Sequence, residues 1–129
     1  MNDSVYPEYE FFVSIKTQQI YNEKDLIDLV GGPENMTVDE MINDWVVEAD
    51  KNIVQTARQR AFSTEKTEPF TFQYRMINHL NGDFYTIETF IRPVYDNDDQ
   101  LIFIMGTDKI VSIEKFISSH TLKNNVTKI

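Results

Sequence analysis

Phe70, Phe72, Tyr74 and Met76 alternate with Thr71, Gln73, Arg75 and Ile77. Period two over that stretch predicts a β-strand. Asn81-Gly82 follows and predicts a type I′ hairpin, because both central positions of that turn need positive φ. The next strand, Phe84 to Val94, contains Pro93, which lacks a ladder donor and marks a bulge or the strand's end. Asp96-Asn97-Asp98-Asp99 predicts a turn. The uninterrupted apolar run Leu101 to Met105 predicts a central strand covered on both faces, and Ile110 to Ile117 the start of an exit helix.

Upstream, Tyr9 to Ile15 and Gln18 to Tyr21 form a hairpin pattern across Lys16-Thr17. Leu26, Ile27, Leu29 and Val30 then lie at helical spacing until Gly31-Gly32-Pro33 stops them. Thr37 stands three residues before Glu40, the spacing of a capping box, with Met41, Ile42 and Trp45 following on one side. From Asp50, a candidate cap, Ile53, Val54, Ala57, Ala61 and Phe62 recur at three- and four-residue steps, which predicts the longest helix. Ser63 to Pro69 reads as a loop. Two strands, three short helices and three strands make an α+β order, and its simplest closure is one five-stranded antiparallel sheet with helices packed over one face.

A chain of 129 residues is one domain by size, and 41% hydrophobic content is that of a globular protein. A formal net charge of −9 repels phosphate backbones, so nucleic acid and anionic membrane are excluded as partners. There is no cysteine, which removes disulfides, thiolate metal sites and cysteine nucleophiles. No apolar stretch reaches the ~20 residues of a membrane helix, and Met1-Asn2-Asp3-Ser4 lacks a secretory pattern, so the chain is expected to be cytoplasmic, or the soluble part of something larger. His79 and His120 stand alone, without the ligand cluster a metal needs. Asp96, Asp98 and Asp99 resemble part of a calcium loop, but Leu101 and Thr107 occupy the places of its glycine and glutamate. No catalytic triad, zinc spacing or phosphate-gripping glycine loop is present.

Gln73-Tyr74-Arg75, Asn81-Gly82-Asp83, Arg92-Pro93-Val94 and Gly106-Thr107 occur in the order of the second half of a sensor domain, and in them the chain resembles the PAS family. The likeness spans Trp45 to Ser112. Trp45 to Asp50 is similar to the family's histidine-proline-x-aspartate segment, with Asp50 as its capping aspartate and the histidine and proline absent. The family's aspartate-isoleucine-threonine corresponds here to Ile110-Val111-Ser112. The resemblance implies a terminal extension over residues 1–8, a PAS domain over 9–112, and an exit helix with a polar tail over 113–129. It also implies a non-catalytic sensory module that binds a small ligand or a partner protein and signals through a homodimer and flanking helices to an output domain or partner. A pure interaction module without ligand is the alternative. The haem-binding branch needs a histidine on the long helix and the light-sensing flavin branch a cysteine; neither is present, so no cofactor is expected, only an unidentified small ligand.

In such a fold Ile53, Ala57, Phe72, Tyr74, Tyr85, Ile87 and Ile104 are candidates to line a cavity, although a filled core explains them equally well. Arg75 either reaches between sheet and helix to hold a carboxylate or faces outward and pairs with Glu88. A fold-level enzyme alternative is a small α+β cone with an acidic general base, a role that would fall to Asp108 or Glu88. In Phe84 to Ile91, Phe84 and Phe90 oppose Tyr85, Ile87 and Ile91, so one apolar set must face outward and a dimer would bury it, unless the termini fold back over it.

Overall fold

The longest ladder joins β5 (Phe84–Tyr95) to β6 (Leu101–Glu114), and the rest of the sheet is built outward from it. The computed structural model describes residues 7–22, 25–33 and 36–115. β4 (Phe70–Ile77) pairs with β5, and β1 (Glu8–Ser14) with β6, all antiparallel. β2 (Gln19–Asn22) returns along β1, and the two-residue β3 (Met36–Thr37) pairs with β2. The spatial order is β3-β2-β1-β6-β5-β4. Six strands therefore replace the five expected, because Met36 and Thr37 complete a ladder with Ile20 and Gln19 too short to show as sequence periodicity.

The strand alternation sets an inner face of Val13, Ile20, Tyr74, Met76, Tyr85, Ile87, Ile91, Ile104 and Ile110. The described helices cover that face. α1 (Asp25–Val30) contributes Leu26 and Val30, and α3 (Lys51–Ala61) contributes Val54, Ala57 and Ala61 at helical spacing. Between them Thr37 caps α2 (Val38–Glu40): the Glu40 N–H donates to Thr37 Oγ1 at 3.2 Å, and the Thr37 N–H donates to Glu40 Oε1 at 2.9 Å. A cap of this kind is worth about 1 kcal/mol. The chain continues through a π-helical turn, Met41–Trp45, whose Ile42 is fully buried.

Four sequence expectations change. β6 is central but fully buried on one face only: Ile104, Gly106, Asp108 and Ile110 point in, while Phe103, Met105, Thr107 and Lys109 on the other face are half-buried. It also runs on as strand through Glu114, since Ser112, Ile113 and Glu114 pair with Thr86, Tyr85 and Phe84 after a register shift that passes over Val111. The exit helix expected from Ile110 is thus excluded up to Glu114; residues 116–129 lie outside the described residues, as do residues 1–6 of the terminal extension. Asn81-Gly82 forms no two-residue turn. Only Gly82 has positive φ, and the Asn78 N–H donates to the Asp83 carbonyl around a six-residue loop over 78–83. Lastly, Asp50 precedes α3 without capping it by its side chain.

Candidate functional site

A cavity of about 90 Å³ lies between the inner sheet face and the helices. β1 and β6 supply one wall through Phe11, Val13 and Ile104, α1 and the segment after it another through Leu26, Val30 and Met36, and α3 a third through Val54, Ala57 and Ala61. Phe72, Tyr74 and Ile91 extend the sheet wall. Phe11 is held there by its register partner: Gly106 lies opposite it, and a Cβ at Gly106 would run into the Phe11 ring.

Among this apolar lining stand Asp108, Thr89 and Arg58. Thr89 and Asp108 are register partners on β5 and β6, and Thr89 Oγ1 donates to Asp108 Oδ1 at 2.6 Å. Asp108 is only 9% exposed. Burial pushes its carboxyl up to about 7, against the smaller opposing effect of the Thr89 hydrogen bond. Burial also raises Tyr74 well above the usual phenol value; the Asp108 charge adds to the rise, and a hydrogen bond with Thr89 works against it. Arg58 is occupied elsewhere: Nε and Nη2 donate to Gln18 Oε1 at 3.0 and 2.6 Å, and Nη1 to Asp39 Oδ1 at 2.7 Å.

Of the side chains proposed from sequence, Ala57, Phe72, Tyr74 and Ile104 line the cavity. Ile53 does not: it is 43% exposed and borders a shallow groove between α3 and β4. Tyr85 and Ile87 are buried in the core away from the cavity lining, and the Tyr85 hydroxyl accepts a hydrogen bond from Asn78 Nδ2 at 3.0 Å. Arg75 faces outward, as one of its two expected roles required, but its partner is Asp50 and not Glu88. Its outward phase puts it at the β4 edge, where Nε and Nη2 donate to Asp50 Oδ2 and Oδ1 at 2.8 and 2.9 Å and its backbone N–H donates to Oδ2 at 2.8 Å. Glu88 instead accepts from Gln73 at 3.4 Å. The Asp50 side chain is drawn to β4 because three donors converge there, and the side-chain hydrogen bond from Arg75 holds its carboxyl below the usual range.

Sequence reasoning missed Phe11, Val13, Leu26, Val30 and Met36, and it weighed Asp108 only as a remote base. One signal for Asp108 was legible, since it shares the phase of Ile104, Gly106 and Ile110 on one strand. His79 is structural: its Nε2 lies 2.7 Å from the Asp44 carbonyl and its ring meets Trp45 edge-on at 4.8 Å. Among the described residues there is no cluster of His, Asp and Glu able to hold a metal, and no helix long and apolar enough to cross a membrane.

A cavity between a curled antiparallel sheet and short helices agrees with what the sequence comparison finds: the family model for the PAS fold matches residues 29–108. The chain belongs to the PAS family. Solved structures show the same fold. The N-terminal domain of a diguanylate cyclase with a PAS/PAC sensor from Marinobacter aquaeolei is similar at a TM-score of 0.67 and 14% identity, over 82% of this chain and 96% of that one. A sensory box histidine kinase/response regulator from Burkholderia thailandensis is similar at 0.59 and 12%, over 94% and 87%. An RNA-binding light-oxygen-voltage receptor is similar at 0.64 and 13%, over 82% of this chain but 30% of that one. No curated protein matches the chain in sequence. Identities this low carry the PAS architecture and nothing about ligand or output.

Proposed function

We propose that this PAS domain is a non-catalytic sensory module that holds a small molecule noncovalently in the cavity and passes its occupancy to a dimer partner and to an output domain or signalling protein. The observation that supports it is an apolar cavity with one polar pair, Asp108 and Thr89, at its wall. At about 90 Å³ the space is smaller than the ~150 Å³ cavity that takes benzene, so the ligand is compact. Neither a haem nor a cysteinyl flavin suits these residues: α3 carries no histidine and the chain no cysteine. Self-association would use the outer sheet face. Phe12 and Tyr21 stack there at 5.1 Å, Phe103 meets Phe12 at 6.2 Å, and Phe12, Tyr21 and Phe90 are each more than two-fifths exposed. The domain is read as cytoplasmic.

Native mass spectrometry of freshly purified protein tests the ligand. A mass above that of the bare chain is expected; a clean apo mass with no thermal shift across a metabolite panel would leave the pure interaction module. An absorbance spectrum with a Soret or flavin band would overturn the absence of a chromophore.

Asp108 favours a second reading. A buried carboxyl with a pKa of about 7 is suited to proton abstraction at neutral pH, which is what the cone-enzyme alternative required. Glu88, the other candidate base, is bonded to Gln73 and does not line the cavity. Solvent deuterium entering small ketones in the presence of the wild type but not of Asp108→Asn would establish this reading, and no exchange would leave the sensory one.

A further inference from the structure

The chemistry of the lining narrows the ligand class beyond the sensory reading, on which this inference rests. The Thr89 hydroxyl donates its hydrogen bond to Asp108 Oδ1, and no described residue donates to Oδ2. The Arg58 guanidinium is taken up by Gln18 and Asp39. Other titratable groups near Asp108 are few: β4 brings the Tyr74 hydroxyl beside Thr89, β1 places Tyr9 opposite Asp108 in register, and the described lining from α1, β3 and α2 is apolar. The described lining therefore offers hydrogen-bond acceptance and negative charge, with no unoccupied cation, inside aliphatic and aromatic walls.

We propose that the cavity binds a small aliphatic amine in its ammonium form, with the Asp108 carboxylate as its counter-ion and Phe11, Val13, Leu26 and Ile104 around its hydrocarbon part. A carboxylate or phosphate ligand would meet Asp108 without an unoccupied cation among the described lining residues to hold it. A neutral alcohol gains no charge interaction. An ammonium requires Asp108 to be ionised, and burial holds that group near neutrality in the empty domain, so binding releases a proton below about pH 7. The amine stays charged throughout, since its own pKa is about 10.

The test is calorimetric titration of the full chain with isobutylamine, isobutanol and isobutyrate from pH 5.5 to 8.5. At pH 8 isobutylammonium should bind at least tenfold more tightly than isobutanol, and isobutyrate should not bind. Amine affinity should weaken about tenfold per pH unit below about 7 and level off above it. The heat should vary with the ionisation enthalpy of the buffer, reporting the released proton. Asp108→Asn should remove the preference for the amine while retaining isobutanol. Should that variant fail to fold, the 13C carboxyl resonance of Asp108 in the wild type reads the same event: saturating isobutylamine should lower its titration midpoint. Isobutanol binding as tightly as the amine, without pH dependence, would overturn the ligand class and leave a ligand cavity. No binding of any probe would overturn the amine together with the small-ligand reading.

Discussion

Replacing Asp108 by Asn should stabilise the domain at neutral and alkaline pH. The folded carboxyl sits at about 7 against an ordinary 3.8, so between those values the native state keeps a proton that the unfolded chain has lost. Stability must then fall as pH rises across that window: the contribution of the protonated group is fully present below about 4, declines through the folded pKa and is gone above about 7. Each pKa unit is worth about 1.4 kcal/mol, which puts the Asp108 penalty at about 4 kcal/mol above neutrality and about 1.5 kcal/mol at pH 5. Any packing difference between Asn and Asp is independent of pH and cancels when two pH values are compared. Urea unfolding of both proteins at pH 5 and 8 should show the wild type losing about 3 kcal/mol relative to the variant. A difference that is the same at both pH values would refute the reasoning, since it would mean that Asp108 is solvated or finds a cation in the folded state.

Breaking the Arg75–Asp50 clamp by Arg75→Ala should release the segment before α3 from the β4 edge, raising hydrogen exchange at the Val47 amide, which donates to the Arg75 carbonyl at 2.9 Å, on the order of tenfold. Because the Asp50 carboxyl is held low, its stabilisation is present above the ordinary 3.8 and lost as pH falls through the folded value; acid unfolding should therefore begin at higher pH in wild type than in a variant whose stability lacks this carboxylate, Asp50→Asn, once both are normalised at pH 7. Gly106→Ala drives a methyl into the Phe11 ring and should destabilise by about 1–3 kcal/mol in thermal melts, with much of the loss relieved in a Phe11→Ala background. Phe90→Asp, at a position 42% exposed, should turn a dimer into a monomer in sedimentation equilibrium without loss of fold, and a wild type monomeric at micromolar concentration would remove the dimer.

What was legible in sequence follows from how local each signal is. β4 matches its eight-residue alternation, α3 its apolar steps, and the Thr37–Glu40 box formed as spaced. Ile110 to Glu114 misled because a short apolar run fits either period. Its strand state is fixed by partners on β5, Phe84 to Thr86, that no local pattern names. The Asp50–Arg75 contact spans 25 residues, and the helix start masked it because an aspartate there is also what a cap requires. The cavity was half visible. Its sheet and α3 residues share one face by phase, whereas Leu26, Val30 and Met36 arrive from segments whose packing depends on the closed sheet.

The two carboxylates act on the fold in opposite directions. Asp50 has three donors and a depressed pKa, so its charge strengthens the fold where the free edge of β4 would otherwise lack partners. Asp108 has one donor and a raised pKa, so its charge weakens the fold, and packing alone would favour an apolar side chain in its place. A group that opposes folding and faces a cavity is the pattern of a functional position. The two sites are also neighbours along β4: Tyr74 and Met76 line the cavity, while Arg75 between them grips Asp50 and Met76 bridges Val46. On β5 the same alternation sets Thr89, bonded to Asp108, beside the exposed Phe90. With a side-chain period of two, a strand cannot rotate at the cavity without rotating its outer residues, so a rotation of β4 that moves Tyr74 also moves the Arg75 clamp, and a rotation of β5 that moves Thr89 also moves Phe90.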